Sequence, residues 1–269
     1  MLDYQTENIR NVVLLSHNGA GKTTLAEALL YNSGAITRLG KVDEGNTTSD
    51  YDPDEIKRRG SINLSLLPLG WKGIKVNLID TPGYADFAGE VKAALRAADG
   101  VVILVCAASG MEVGTEQVWR YANETGRPSI IFINKIDREH ADFYKTVEQI
   151  RAHFGRKCTP IQLPIGSQDS FQGVVDLIAM TPSPQELAEQ VKSFGDQLIE
   201  VVAETDDNLA TKYLEGEELA EDELRSGLKA GVTSGDIVPI LVGTALHNKN
   251  TTELLDAICE YLPAPKGKV

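Results

Sequence analysis

Three short stretches of this chain carry residues whose types and spacing could do chemistry. The first is "SHNGAGKTT", residues 16–24, at the end of an apolar run. Gly19 and Gly21 let the backbone curl until its N–H groups face inward, an arrangement that cradles phosphate oxygens. A helix starting there adds the positive end of its dipole. Lys22 can reach the outer phosphates of a nucleotide, and the Thr23 hydroxyl can stand on Mg2+. His17, Asn18, Ala20 and Thr24 complete the cradle. The strict pattern has Gly where Ser16 stands, and a serine is small enough to leave the loop intact. Taken alone, the stretch also fits a glycine-rich turn capping a helix.

The second stretch is "NLIDTPGYADF", residues 77–87. Asp80 closes an apolar run, where a carboxylate can hold the water shell of Mg2+. Gly83 has no side chain, so its N–H can approach a terminal phosphate closely. Tyr84 then points toward the place where an attacking water would stand. The bland alternative is an ordinary Asp-x-Pro-Gly turn. The third stretch is "NKID", residues 134–137. Asp137 can accept from N1–H and the N2 amino group of guanine, whereas adenine would leave that carboxylate desolvated and unpaired. Lys135 can lay its stem along the base, and Asn134 can tie this loop to the phosphate loop. "GTAL", residues 243–246, follows the last apolar run, where Thr244, Ala245 and Leu246 can support the base with backbone N–H groups.

These stretches need rigid elements to bring them together. Apolar runs at 12–16, 75–80, 100–107, 129–134 and 237–243 read as buried strands. Amphipathic runs at 23–31, 87–97, 114–125, 142–154 and 251–261 read as helices between them. Near-continuous Val/Ile/Leu strands separated by helices imply an α/β fold, with a doubly wound, mostly parallel sheet covered on both faces. Ligands of such sheets lie beyond the carboxyl ends of the strands, where all three stretches fall. Two segments break the rhythm. Residues 32–60 are a long polar connection without period, expected to be functional or mobile, and 61–69 follow as a strand. Residues 166–235 read as an inserted, mainly helical subdomain with helices at 185–204, 207–214 and 221–231. The expected division is 1–165 with 236–262 as the nucleotide-binding domain, 166–235 as the insert, and 263–269 as an exit linker.

Bulk properties narrow the class. The chain has 269 residues and a net charge of −13. So acidic a domain does not hold nucleic acid by a broad basic surface. Residues 185–231 alone carry 13 acids and 4 bases, a solvated face or a docking surface. No run is long and apolar enough to span a membrane. Three scattered cysteines argue against a disulfide framework or a zinc site and fit a reducing cytoplasm.

The ensemble resembles the G domain of translational GTPases, a P-loop GTPase fold, and most of all elongation factor G and its paralogues. The resemblance is carried by "NVVLLSHNGAGKTTLAEALL", "SDYDPDEIKRRGSINLS", "NLIDTPGYADFAGEVKAALRAADG", "GMEVGTEQVW", "FINKIDRE", "LPIGSQDSFQGVVDLI", "KYLEGEEL" and "LPAP". It implies GTP/GDP and Mg2+ as ligands, with Thr23, Ser61 and Asp80 about the metal. It also implies hydrolysis stimulated by the ribosome through its large subunit and stalk, in a cytoplasmic monomer. Ser61 aligns with the family's switch threonine. The insert resembles the family's own, shortened around "MTPSPQEL" (180–187), and the family's further domains are missing after "LPAP". Gly19 stands where the family has an Asp associated with a monovalent cation. Tyr84 stands where the family norm is a histidine that orients water. Lys22, Gly83 and Tyr84 are therefore the candidates for catalysis. A phenol is a poor base at neutral pH, so a GTP-dependent binding switch with little hydrolysis remains the rival. The first domain of a ribosomal protection or release-type GTPase, and a P-loop ATPase or kinase, are further alternatives.

Overall fold

The computed structural model describes residues 4–179, 181 and 183–266. The expectations for 1–3, 180, 182 and the end of the exit linker at 267–269 lie outside the described residues.

The chain opens with β1 (Ile9–Leu15) and α1 (Lys22–Asn32), then α2 (Pro53–Arg58), β2 (Ser65–Trp71), β3 (Ile74–Asp80) and α3 (Ala88–Ala97). It continues through β4 (Gly100–Cys106), α4 (Val113–Thr125), β5 (Ser129–Asn134) and α5 (Phe143–Phe154). Short strands β6 (Cys158–Pro160), β7 (Gln162–Ile165) and β8 (Gly173–Asp176) precede α6 (Ala188–Ala203), α7 (Asp207–Leu214) and α8 (Glu221–Ser234). The last elements are β9 (Val238–Val242) and α9 (Thr251–Tyr261).

The main sheet has seven strands in the order β2-β3-β1-β4-β5-β9-β6. All its pairings are parallel except β2 with β3. That hairpin turns through Lys72 and Gly73, both at positive φ (46° and 83°), a turn that matches the twist of antiparallel strands. Every residue of β4, β5 and β9 is buried, as the unbroken apolar runs require of strands covered on both faces. The chain reverses direction of growth at β1, with β3 on one side and β4 on the other, so the loop after β1 opens into a switch-point crevice.

Several elements differ from the sequence reading. The strand expected at 61–69 starts only at Ser65, because the N–H groups before it are taken by carboxylates: Ile62 and Asn63 donate to Glu55 Oε1 (2.8 and 3.0 Å), and Leu64 to Glu90 Oε2 (3.1 Å). Residues 32–60 are irregular over most of their length, as expected, but not throughout. They contain α2, whose start is fixed by Pro53 and a reciprocal cap between Asp52 and Glu55. Buried Glu27 of α1 pins the same segment by accepting from Gly40 N (3.0 Å) and Thr48 N (2.5 Å). β6 was not expected; three residues are too few to show a period. The expected insert boundary at 165/166 falls in the turn of the β7–β8 pair, a two-stranded antiparallel sheet whose strands lie on either side of it. Within 166–235, α6 packs on α7 and α8, and α8 in turn contacts α9.

Candidate functional site

The phosphate-loop segment runs from Ser16 to Gly21, between β1 and α1. Gly19 and Gly21 sit at φ of 81° and 98°, which only glycine adopts without strain, and a β-carbon on Gly21 would stand 2.7 Å from Asn134 Nδ2. Lys22 is buried, and its Nζ donates to Ser16 Oγ (2.8 Å) and to the His17 carbonyl (3.4 Å). The serine at the first loop position thus holds the lysine as well as fitting the turn. Burial pulls the Lys22 ammonium down to about 8, against the raising pull of Asp80 and Asp50. His17 turns away from the crevice. Its Nδ1 lies 3.0 Å from Thr115 Oγ1 and its Nε2 3.1 Å from Glu112 Oε1, tying the loop to the start of α4. Burial holds its pKa below the ordinary value.

Next to Lys22 is a cluster of hydroxyls and carboxylates. Thr23 Oγ1 donates to Asp80 Oδ2 (2.9 Å) and lies 3.2 Å from Ser61 Oγ. Ser61 donates to Asp50 Oδ1 (2.7 Å), and Ser49 to Asp80 Oδ2 (3.0 Å). The second oxygens, Asp80 Oδ1 and Asp50 Oδ2, are buried with no hydrogen-bond partner. Two orphaned carboxylate oxygens beside two hydroxyls form a hard-oxygen donor set that fits Mg2+. Among the described residues no group of three or more His, Cys, Asp or Glu is placed to hold a metal.

Burial raises the Asp80 carboxyl to about 6, with Lys22 and the Thr23 and Ser49 hydroxyls opposing. Asp50 is raised for the same first reason. A carboxyl that holds its proton more tightly folded than unfolded makes stability fall as pH rises, here between about 4 and 6. A lysine lowered to about 8 makes stability rise with pH between about 8 and the ordinary lysine value. The ligand-free chain should therefore show its largest cost from this cluster between these two limbs. In denaturant melts across pH, Asp80→Asn should flatten the acidic limb relative to the parent. An unchanged limb would show that Asp80 is ionised without penalty.

At the other end of the crevice, Asn134 bridges two loops: its Nδ2 donates to Ala20 O (2.8 Å), and its Oδ1 accepts from Ala245 N (3.0 Å). Lys135 takes a left-handed φ of 64°, and its Nζ donates to Gly19 O. Asp137 Oδ1 is buried without a partner, while Oδ2 lies 3.5 Å from His247 Nε2.

A cavity of about 340 Å³ joins the two ends. Of the residues singled out in the sequence, Asn18, Gly19, Gly21, Lys22, Thr23, Thr24, Ser61, Gly83, Asn134, Lys135, Asp137 and Leu246 line it. His17, Ala20, Asp80, Thr244 and Ala245 are buried and do not line it. Tyr84, the third candidate for catalysis, does not line the cavity, although its neighbour Gly83 does. Its ring lies beneath the Arg58 guanidinium, 4.6 Å from ring centroid to Cζ. Asp50 and Arg59 line the cavity and were missed. Both sit in the polar segment, where no period marks the buried Asp50 or sets the exposed Arg59 apart from its neighbours. A cleft of about 420 Å³ beneath α9 and an open groove of about 930 Å³ between α5 and α6 gather none of the phosphate-loop residues.

A glycine-lined loop before a helix, a buried lysine, a hydroxyl–carboxylate cluster and an orphaned carboxylate at the far end define a P-loop nucleotide-binding domain of the GTPase type. The chain matches the elongation factor Tu GTP binding domain over residues 7–264, and it belongs to that family, the G domains of translational GTPases. It is also similar to a protein of Thermus thermophilus known from a crystal structure. The identity is 36% and the TM-score 0.90, over 96% of this chain and 41% of that one. This chain thus spans less than half the length of that protein.

Proposed function

We propose that this chain is the GTP-binding domain of an elongation factor G-like translation factor, acting in the cytoplasm as a monomer. In this reading it binds GTP and GDP with Mg2+ and hydrolyses GTP when the ribosome stimulates it through the large subunit and stalk. The observation that carries the guanine assignment is Asp137. Its Oδ1 is buried and unpartnered at one end of the cavity, while Lys22 stands at the other. A buried acceptor without a donor is costly unless a ligand brings one, and guanine brings two.

In this reading each site residue takes one role. Gly19, Gly21 and the start of α1 present backbone N–H groups to the phosphates, with Lys22 between the outer two. Thr23 and Ser61 would hold Mg2+, with Asp80 and Asp50 orienting its water. The metal supplies charge neutralisation on the phosphate oxygens. Gly83 senses the terminal phosphate, and Asn134, Lys135, Thr244, Ala245 and Leu246 shape the base site. The division into a nucleotide domain and an insert at 166–235, with 263–269 leading onward, belongs to the same proposal. Single-turnover GTP cleavage with and without ribosomes is the test, carried out on the longest natural form of the factor. Stimulation by several orders of magnitude is expected; equal rates would leave a binding switch as the better description.

Gly83→Ala separates the sensing role. An added β-carbon would stand 2.7 Å from Lys22 Nζ and 2.8 Å from Asn18 Cα, so backbone must shift. GTP affinity should fall about ten- to hundredfold, and GDP affinity much less. Equal losses in titrations with the two nucleotides would remove Gly83 from terminal-phosphate sensing.

A further inference from the structure

The segment that leads to Ser61 is fastened to the segment after Gly83 by side chains. Arg58, the last residue of α2, lays its guanidinium over two rings: Tyr84, 4.6 Å from the centroid, and Phe87, 5.3 Å from the centroid. Tyr84 also lies under Gly60, where an added β-carbon would be 3.7 Å from its ring. The Leu64 N–H to Glu90 Oε2 bond (3.1 Å) closes the same seam further along. Between Arg58 and Ser61 lie only Arg59, at a left-handed φ of 56°, and Gly60. Arg58 thus anchors the backbone leading to Ser61, whose hydroxyl meets Asp50 Oδ1 (2.7 Å) and Thr23 Oγ1 (3.2 Å) on the other side. A cation over an aromatic face is attracted by the ring quadrupole, here between an exposed guanidinium and a half-buried ring. An imidazole at position 84 would offer a smaller face and, when protonated, a like charge.

We infer that Arg58, Tyr84 and Phe87 form a clasp that closes the Ser61 loop over the cation cluster, so that bound nucleotide leaves only after Arg58 lifts from the Tyr84 ring. Tyr84 works here by its ring face, and its hydroxyl is not the working part. Arg58 is a positioning residue that acts through Ser61. The inference rests on the nucleotide reading of the cavity. It goes beyond that reading by naming what gates release.

The test is stopped-flow release of N-methylanthraniloyl-GDP from this chain into excess GDP, with Mg2+ and with EDTA. In Mg2+, Arg58→Ala and Tyr84→Ala should each speed release about two- to tenfold. The double variant should be no faster than the faster single one, because both remove the same contact. Tyr84→Phe, which keeps the ring face, should retain slow release. In EDTA the differences should collapse, since the clasp acts through the metal-bearing hydroxyl. The clasp is overturned by parental release rates in both alanine variants, by fully additive effects, by Tyr84→Phe releasing like Tyr84→Ala, or by differences that persist in EDTA. A parent chain that fails to bind the labelled GDP overturns the nucleotide reading and the clasp with it. Binding by the parent with unchanged variants overturns the clasp alone.

Discussion

Asp137→Asn should invert the base preference of this domain. The native carboxylate presents two acceptors, and guanine presents two donors, N1–H and the N2 amino group. An asparagine presents one acceptor and one donor, so its amide N–H2 would face guanine's amino group. Xanthine keeps N1–H and carries a carbonyl oxygen at that second position, so it pairs with the variant. Hydrogen bonds to a charged partner contribute about 1.5–3 kcal/mol each, so GDP affinity should fall at least roughly a hundredfold. Xanthosine diphosphate should bind the variant better than the parent. The structure makes this substitution clean: Asp137 Oδ1 has no hydrogen-bond partner to lose, and Oδ2 lies 3.5 Å from His247 Nε2. Titration calorimetry with both nucleotides measures it. Unchanged guanine affinity would mean the base is read elsewhere.

Lys22→Met should have the largest effect on phosphate binding. The Nζ is buried among Ser16 Oγ, the His17 carbonyl and the field of Asp80 and Asp50. At about 8 its pKa still leaves it mostly charged at neutral pH, so the pocket holds a desolvated cation ready for an anion. Removing one partner of such a buried pair costs about 3–5 kcal/mol, equivalent to a roughly hundred- to several-thousandfold loss of GTP affinity. The substitution also removes the charge that lowers the proton affinity of Asp80, so that carboxyl should titrate above about 6 in the variant. Circular dichroism checks the fold, and labelled-nucleotide titration checks binding. Affinity within a few-fold of the parent would show that the backbone N–H groups suffice.

The sequence alone determined the layered α/β plan and the order of the working loops. Buried strands such as "VVILVC" and "SIIFIN" are apolar at nearly every position because both faces are covered, and that signal is local. The phosphate loop was equally legible, because Gly19, Gly21, Lys22 and Thr23 act within one turn of chain. Only the tertiary structure decided what depends on distant residues meeting. Asp50 gave no sign of its role, since the groups it meets, Ser61 by a hydrogen bond and Asp80 by charge, stand 11 and 30 positions along the sequence. The ordering of 32–60 was hidden for the same reason: the carboxylates that hold it, Glu27 and Glu55, look like ordinary surface acids in sequence. Tyr84 shows the limit most sharply. Its place after Gly83 points toward an attacking water, and nothing in the sequence signals that Arg58, at the end of α2, lies over its ring. Periodicity and loop motifs record forces that act within a few residues. Which polar groups are buried, and against what, is set by packing between elements far apart in the chain.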